Sequence, residues 1–468
     1  WSVLAFAGGP RYAVSGAPIT WPNGTIYYYT DQGDLSPLLP GPEADALVAS
    51  AFAQWATIPT AAVTAIRGGR LEEDVSGANT FLGSDGSLHM TADVLPTALS
   101  RPVAIVYDSD GSVSNAILGK AASNCFLNAV FGRVDNFAAN ATFSNALIVL
   151  NGKCAQTASQ LPDMQYRMVR LIGKIFGLDW SQVNINVLTR LPEPTIADFD
   201  GFSLMHAADT PSCVPISSCL PNAFQPKLDD QMALSRLYPV TIQNRASFPG
   251  KKLFFENTIR IHGSVFSGDT SGSTGRPVQG INVVARWIDA ATAKPSRQFA
   301  ASSVSGFLFR RYPENTADAL DDAAGRPPKR LEWNDTATEG FFDLAGLPIP
   351  DGSSTAQFEL SVEPLDPHWS RGVSPYISRQ VRTSGSAASI IISASIGSDV
   401  RQDIVMQKTP PPKRDNFQPA HRKEWPRLRI LPHYMARTSL SLMAIMRIFF
   451  PVTAWSRRGP VPPAAPHL

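Results

Sequence analysis

The chain has 468 residues, enough for two or three domains. With 44% apolar residues, only 17% charged residues and 39 prolines, it reads as a globular chain of strands and loops rather than of long surface helices. The formal charge of +2 hides an asymmetry: residues 408–468 hold 11 of the 41 Lys and Arg but 2 of the 39 Asp and Glu, leaving 30 basic and 37 acidic residues in 1–407, a balance that excludes nucleic acid as the main partner. Trp1 is not an initiator Met, so a missing or processed start is expected. Neither a signal-like segment nor an apolar window of about 18 residues is visible, so no transmembrane span is expected.

In chain order, Ile26–Thr30 is β-branched and aromatic and predicts a strand after the Pro22-Asn23-Gly24 turn. Glu43–Ala56 predicts a helix, with Leu47, Ala51, Phe52 and Trp55 at helical spacing. Val103–Tyr107 predicts a strand, followed by Asp108-Ser109-Asp110-Gly111. That tetrapeptide is read as a turn; as a calcium loop its Gly comes too early and no Glu follows at the right spacing. Ala146–Leu150 predicts a strand, and Met164–Leu178 and Leu228–Tyr238 predict amphipathic helices.

From about 255 the pattern changes to strands alternating with Gly, Ser and Pro turns. Strands are expected at Ile259–Phe266, Ile281–Trp287, Phe307–Phe309, Phe358–Val362, Ser389–Ser393 and Asp403–Met406, with a polar insertion at 311–339. Beyond Met406 the chain becomes Pro-rich and Arg-rich. Residues 408–468 are expected to belong to neither folded domain: a disordered basic tail, a tail that touches anionic surfaces through its charge and the apolar stretch Leu440–Phe450, or a stretch translated out of frame.

The four cysteines fit an exported protein with two disulfides, or four free thiols in a cytosolic one. Cys213 and Cys219 enclose only five residues and are paired with each other, leaving Cys125 with Cys154. No Cys-x-x-Cys pair suggests a zinc site.

The helix Met168–Ser181 (MVRLIGKIFGLDWS) can be laid on H-E-x-x-H-x-x-G-x-x-H, in which two His one turn apart and a third beyond a Gly hold zinc and the Glu activates water. Arg170 and Lys174 stand at the first two His positions, Leu171 at the Glu, Gly177 at the Gly and Trp180 at the third His. The surroundings resemble the matrixin branch of the metzincins. Gly177-Leu178-Asp179-Trp180-Ser181 is similar to the segment that follows the helix in that family, and Phe202–His206 to its Met-turn, with Met205 as the methionine. Leu228-Asp229-Asp230 through Leu237-Tyr238-Pro239 is similar to its closing helix. Trp21–Tyr29 and Ala44–Trp55 are similar to its first strand and helix.

This resemblance implies an α+β metzincin-like domain over 1–245, a mixed sheet plus long helices, without zinc ligands and with no zinc or other cofactor. Lys and Arg are cations at neutral pH, Trp is only a donor, and no two of the seven His are four apart. Arg167, Arg170 and Lys174 recur at i, i+3, i+7. They are either paired with carboxylates such as Asp163, Asp198 or Asp200, or solvated, or they form an anion-binding cleft. His206 is a surface or core-edge residue, or a remnant of the cleft.

In the later segment, Ile259–Arg310 and Gly340–Pro348 resemble the carboxypeptidase-regulatory-like, transthyretin-like family, which implies an all-β sandwich over 255–407. The leading expectation is a non-catalytic extracytoplasmic or secreted protein that binds an unknown protein or cell-surface ligand or acts structurally. The alternatives are a zinc endopeptidase with an atypical metal site and an adhesin-like surface protein acting through its sandwich.

Overall fold

The computed structural model describes residues 18–138, 140–190, 192–206, 224–268, 274–278, 280–306, 340–363, 381–382 and 389–408. The expected strand Phe307–Phe309, the insertion 311–339, the Cys213–Cys219 pair and the tail beyond 408 lie outside the described residues.

In chain order the elements are β1 (Thr25–Thr30), α1 (Gly41–Ala56), β2 (Thr64–Arg70), β3 (Phe81–Leu82), β4 (Leu88–His89), β5 (Val103–Asp108), α2 (Ser112–Leu118), α3 (Cys125–Asn128), β6 (Val130–Phe137), β7 (Phe143–Asn151), α4 (Leu161–Ile175), α5 (Asn186–Thr189), α6 (Ile196–Asp200), α7 (Leu228–Leu237) and α8 (Phe254–Asn257). They are followed by β8 (Ile259–Gly268), β9 (Thr274–Pro277), β10 (Asn282–Asp289), β11 (Lys294–Val304), β12 (Phe341–Leu347), β13 (Thr355–Glu363), β14 (Val381–Arg382), β15 (Ser389–Ser395), β16 (Asp399–Arg401) and β17 (Ile404–Lys408). The protein is a mixed α+β structure with several sheets and a minority of helix.

The first sheet runs β2-β1-β5-β7-β6. β1 is parallel to β2 and β5, β5 is parallel to β7, and β6 closes one edge antiparallel to β7. Both faces are covered, which is why β5 and β7 read as unbroken apolar runs. On one face Val103, Ile105, Ile148 and Leu150 join the core of α1 and α4. On the other, Ala104, Val106, Leu147 and Val149 pack with Leu71, Val94 and Val113. The Asp108-Ser109-Asp110-Gly111 turn opens α2: the Asp108 carboxylate accepts the amides of Val113 and Ser114 at 3.0 and 2.7 Å, and Asp110 accepts that of Ser112 at 2.9 Å.

Cys125 and Cys154 form a disulfide, Cα to Cα 5.3 Å, that ties α3 to the turn after β7. It closes a loop with a sequence separation of 29, so its removal frees the unfolded chain. Loop-closure entropy predicts a loss of about 3–4 kcal/mol in Cys125→Ala/Cys154→Ala. Urea unfolding of that variant beside the oxidised protein checks it; a loss under about 1 kcal/mol would show that the bridge constrains little.

The later strands form an antiparallel sheet β11-β10-β13-β15 and a second sheet β12-β8-β17-β14, with β9 and β16 also on β8. Val283, Ala285, Phe358 and Leu360 of the first share one apolar core with Ile261, Val265, Phe342 and Leu344 of the second. Among the described residues no helix is long and apolar enough to cross a membrane.

Candidate functional site

The site is built on α4. The helix is held from one side by α1: the Trp55 indole donates to the Val169 carbonyl at 2.8 Å. Gly173 makes the close approach possible, because a Cβ there would lie 2.5 Å from the Trp55 ring and 2.6 Å from Met205 Sδ. Met205 therefore packs against the helix at Gly173, which lies one turn from Arg170 and next to Lys174 in sequence.

α4 ends at Ile175, three residues before the expected Leu178. The reason is local. Gly177 has φ +94, and its amide and that of Leu178 turn back to the carbonyls of Lys174 and Gly173 at 2.9 and 3.1 Å, the paired bonds of a Schellman stop. Two buried side chains take the next carbonyls: the Trp21 indole donates to Ile175 at 2.7 Å and the Tyr238 hydroxyl to Phe176 at 2.9 Å. The reversed chain brings Trp180 back over the helix.

There the three side chains at the would-be ligand positions meet. The Trp180 ring centroid lies 3.8 Å from Lys174 Nζ and 4.9 Å from Arg170 Cζ, a double cation–π contact. Arg170 also donates to the His206 carbonyl. Leu171, at the general-base position, is half-buried at the border of the core and lies beside Gly132 of β6. Arg167 leaves this group and stands over the Phe126 ring, 5.4 Å from its centroid.

The cations therefore do not form a solvated face, one of the readings the sequence left open. Arg167 and Arg170 are 7% and 6% exposed, with a ring face beside each head and the His206 carbonyl accepting from Arg170. Asp198, one of the carboxylates expected to pair with them, is bound instead by Arg297 and by its own cap residue Thr195. Burial pushes its pKa up, but the Thr195 amide and hydroxyl and the Arg297 guanidinium outweigh burial and hold it below the usual range.

His206 is neither on the surface nor at the core edge. It is 1% exposed, hydrogen-bonded at Nε2 to the Tyr166 hydroxyl and stacked on Phe202 at 4.5 Å. The sequence placed Asp229 and Asp230 only at the start of the helix Leu228–Tyr238. Asp230 is the anchor of the turn that carries Met205: its buried carboxylate accepts the Ser203 hydroxyl and the amides of Leu204, Met205 and Lys227 at 2.8, 3.0 and 2.8 Å. An adjacent acidic pair in an apolar helix start was the signal.

The donor set does not suit zinc. A zinc site needs neutral imidazoles, thiolates or carboxylates, and here two cations flank an N–H donor ring. Among the described residues no group of three or more His, Cys, Asp or Glu is placed to hold a metal ion. No protein-family model and no curated protein matches the chain.

Proposed function

We propose that this is a non-catalytic, extracytoplasmic relative of the metzincin peptidases, followed by a transthyretin-like β-sandwich, and that it acts by binding or as a structural element. One observation carries the reading. The side chains of residues 170 and 174 both lie against the Trp180 ring, brought back by a glycine-terminated helix whose Gly173 packs on Met205, and none of the three can ligate zinc. The five-stranded mixed sheet with packed helices and the two later sheets around one core support the domain assignment at 1–245 and 255–407. The Cys125–Cys154 disulfide is compatible with an oxidising compartment. Proteolysis is opposed by chemistry: Lys174 and Arg170 would have to give up their protons to become ligands, and Leu171 supplies no base.

The test is to restore the donors in Arg170→His/Leu171→Glu/Lys174→His/Trp180→His. If the positions are those of a former metal site, the variant takes up zinc at about one per chain, tetrahedral by X-ray absorption, and the wild type does not. A folded variant that binds no more zinc than the wild type would contradict the reading.

A further inference from the structure

Residues 181–190 and 192–206, which carry Met205 and His206, are held by β10 and β11 as well as by α4. Asn184 donates from Nδ2 to the Arg297 carbonyl of β11 at 2.8 Å, and its Oδ1 accepts from Arg286 of β10 at 3.1 Å. Arg297 reaches Asp198 through Nε and Asn186 Oδ1 through Nη2 at 3.1 Å. Arg286 is itself fixed by a forked pair to Glu363, with Nη2 at 2.7 and 2.9 Å from the two carboxylate oxygens. Asp229 of α7 joins β11 to this segment: it accepts the Ser302 amide of β11 at 2.7 Å and the Ser181 side chain, while the Ser181 amide donates to the Met205 carbonyl at 2.6 Å. Asn184, Asp198, Asp229 and Arg286 are each at most 5% exposed, and Val183 packs with Val284 and Ala300 beside them.

A flexibly tethered module makes no such seam. Interfaces between independent domains are mostly solvated and mobile, whereas charges that are buried hold their geometry only while every partner is in place. We propose that Arg297 and Asp229 are positioning residues through which β10 and β11 set the conformation of residues 181–206, so that the site above α4 is a product of both halves of the chain. These contacts give the later strands a supporting role whether or not the metzincin reading holds.

Hydrogen exchange of the full chain tests it. In Arg297→Ala, peptides within 181–206 are expected to exchange roughly ten- to a hundred-fold faster, as loss of a charge-assisted bond implies, with β5 and β7 unchanged. Arg297→Lys, which keeps the charge but not the fork, should recover only part of the protection. Unchanged exchange at 181–206 in a folded Arg297→Ala would overturn the proposal. In the wild type, mild denaturant should open β10, β11 and 181–206 at the same concentration; protection of 181–206 that outlasts that of β10 and β11 would overturn it equally, even if the variant failed to fold.

Discussion

Asp230→Ala should lose about 4–6 kcal/mol of folding stability, most of what a domain possesses. Its carboxylate is 1% exposed and takes three backbone amides and the Ser203 hydroxyl, which bind the Met205 turn to the start of α7. Removing the acceptor strands these donors in a dry interior, at about 1–3 kcal/mol for each that water cannot reach. Some of that cost is offset, because burial already disfavours the ionised carboxylate and raises its pKa. Asp230→Asn should be milder, since an amide oxygen keeps part of the acceptor capacity while its NH2 opposes the remaining donors. Urea unfolding checks both variants, and a loss below about 1 kcal/mol in Asp230→Ala would mean that the turn is held by packing alone.

The protein should also be more stable at pH 4.5 than at pH 7, which is unusual for a chain with several ion pairs. Among the described residues, the carboxylates of Asp31 and Asp229 are buried and make no ion pair. Asp31, at the end of β1, accepts the amides of Gln32, Val75 and Tyr107, at 2.9, 3.0 and 3.0 Å. Asp229 accepts the serines at the seam. Desolvation dominates both, and it pushes each pKa from 3.8 to about 6.

A carboxyl raised in the folded state contributes stability that is complete below its unfolded pKa and lost as pH rises through the folded one. The loss therefore falls between about pH 4 and pH 6 and is on the order of 3 kcal/mol for each group. Asp198, with its pKa lowered, acts in the opposite sense below that window; His262, its pKa lowered by burial, opposes the trend as pH falls below about 6.5, while Asp230, raised by burial, adds to it. Asp31→Asn and Asp229→Asn should each flatten the slope by about one proton. Urea titrations at half-unit steps would contradict this account if stability stayed level or rose from pH 4.5 to 7.

Much of the frame was legible because it is local. The β-branched and aromatic run of β1, the apolar runs of β5 and β7 and the Leu47–Trp55 spacing each report one element. β2 was invisible, since Thr64–Arg70 is an exposed edge with two glycines and no apolar period. β11 was missed for a similar reason: its first half is exposed and only Ala300–Val304 is buried.

At the site, Arg170, Leu171, Lys174, Gly177 and Trp180 were picked out by laying the helix on a zinc-binding pattern, a resemblance carried by the surrounding segments. What they touch could not be read that way. A cation at helical spacing reads the same whether it meets water or an indole face, and only the Gly177 turn brings Trp180 within reach. The seam was hidden more deeply, because Asn184, Asp198 and Arg297 lie far apart in sequence. Arg286, a charge inside the apolar run Asn282–Trp287, was the single local sign that something polar lay beneath.

The central proposal is that cations and an indole fill the place where the metzincins, which the sequence resembles, carry zinc. Elemental analysis of the oxidised full chain, purified without chelator, tests it most directly. The account predicts zinc far below stoichiometry and no change in thermal unfolding on adding a chelator. About one zinc per chain, lost together with peptide cleavage when chelator is added, would contradict it.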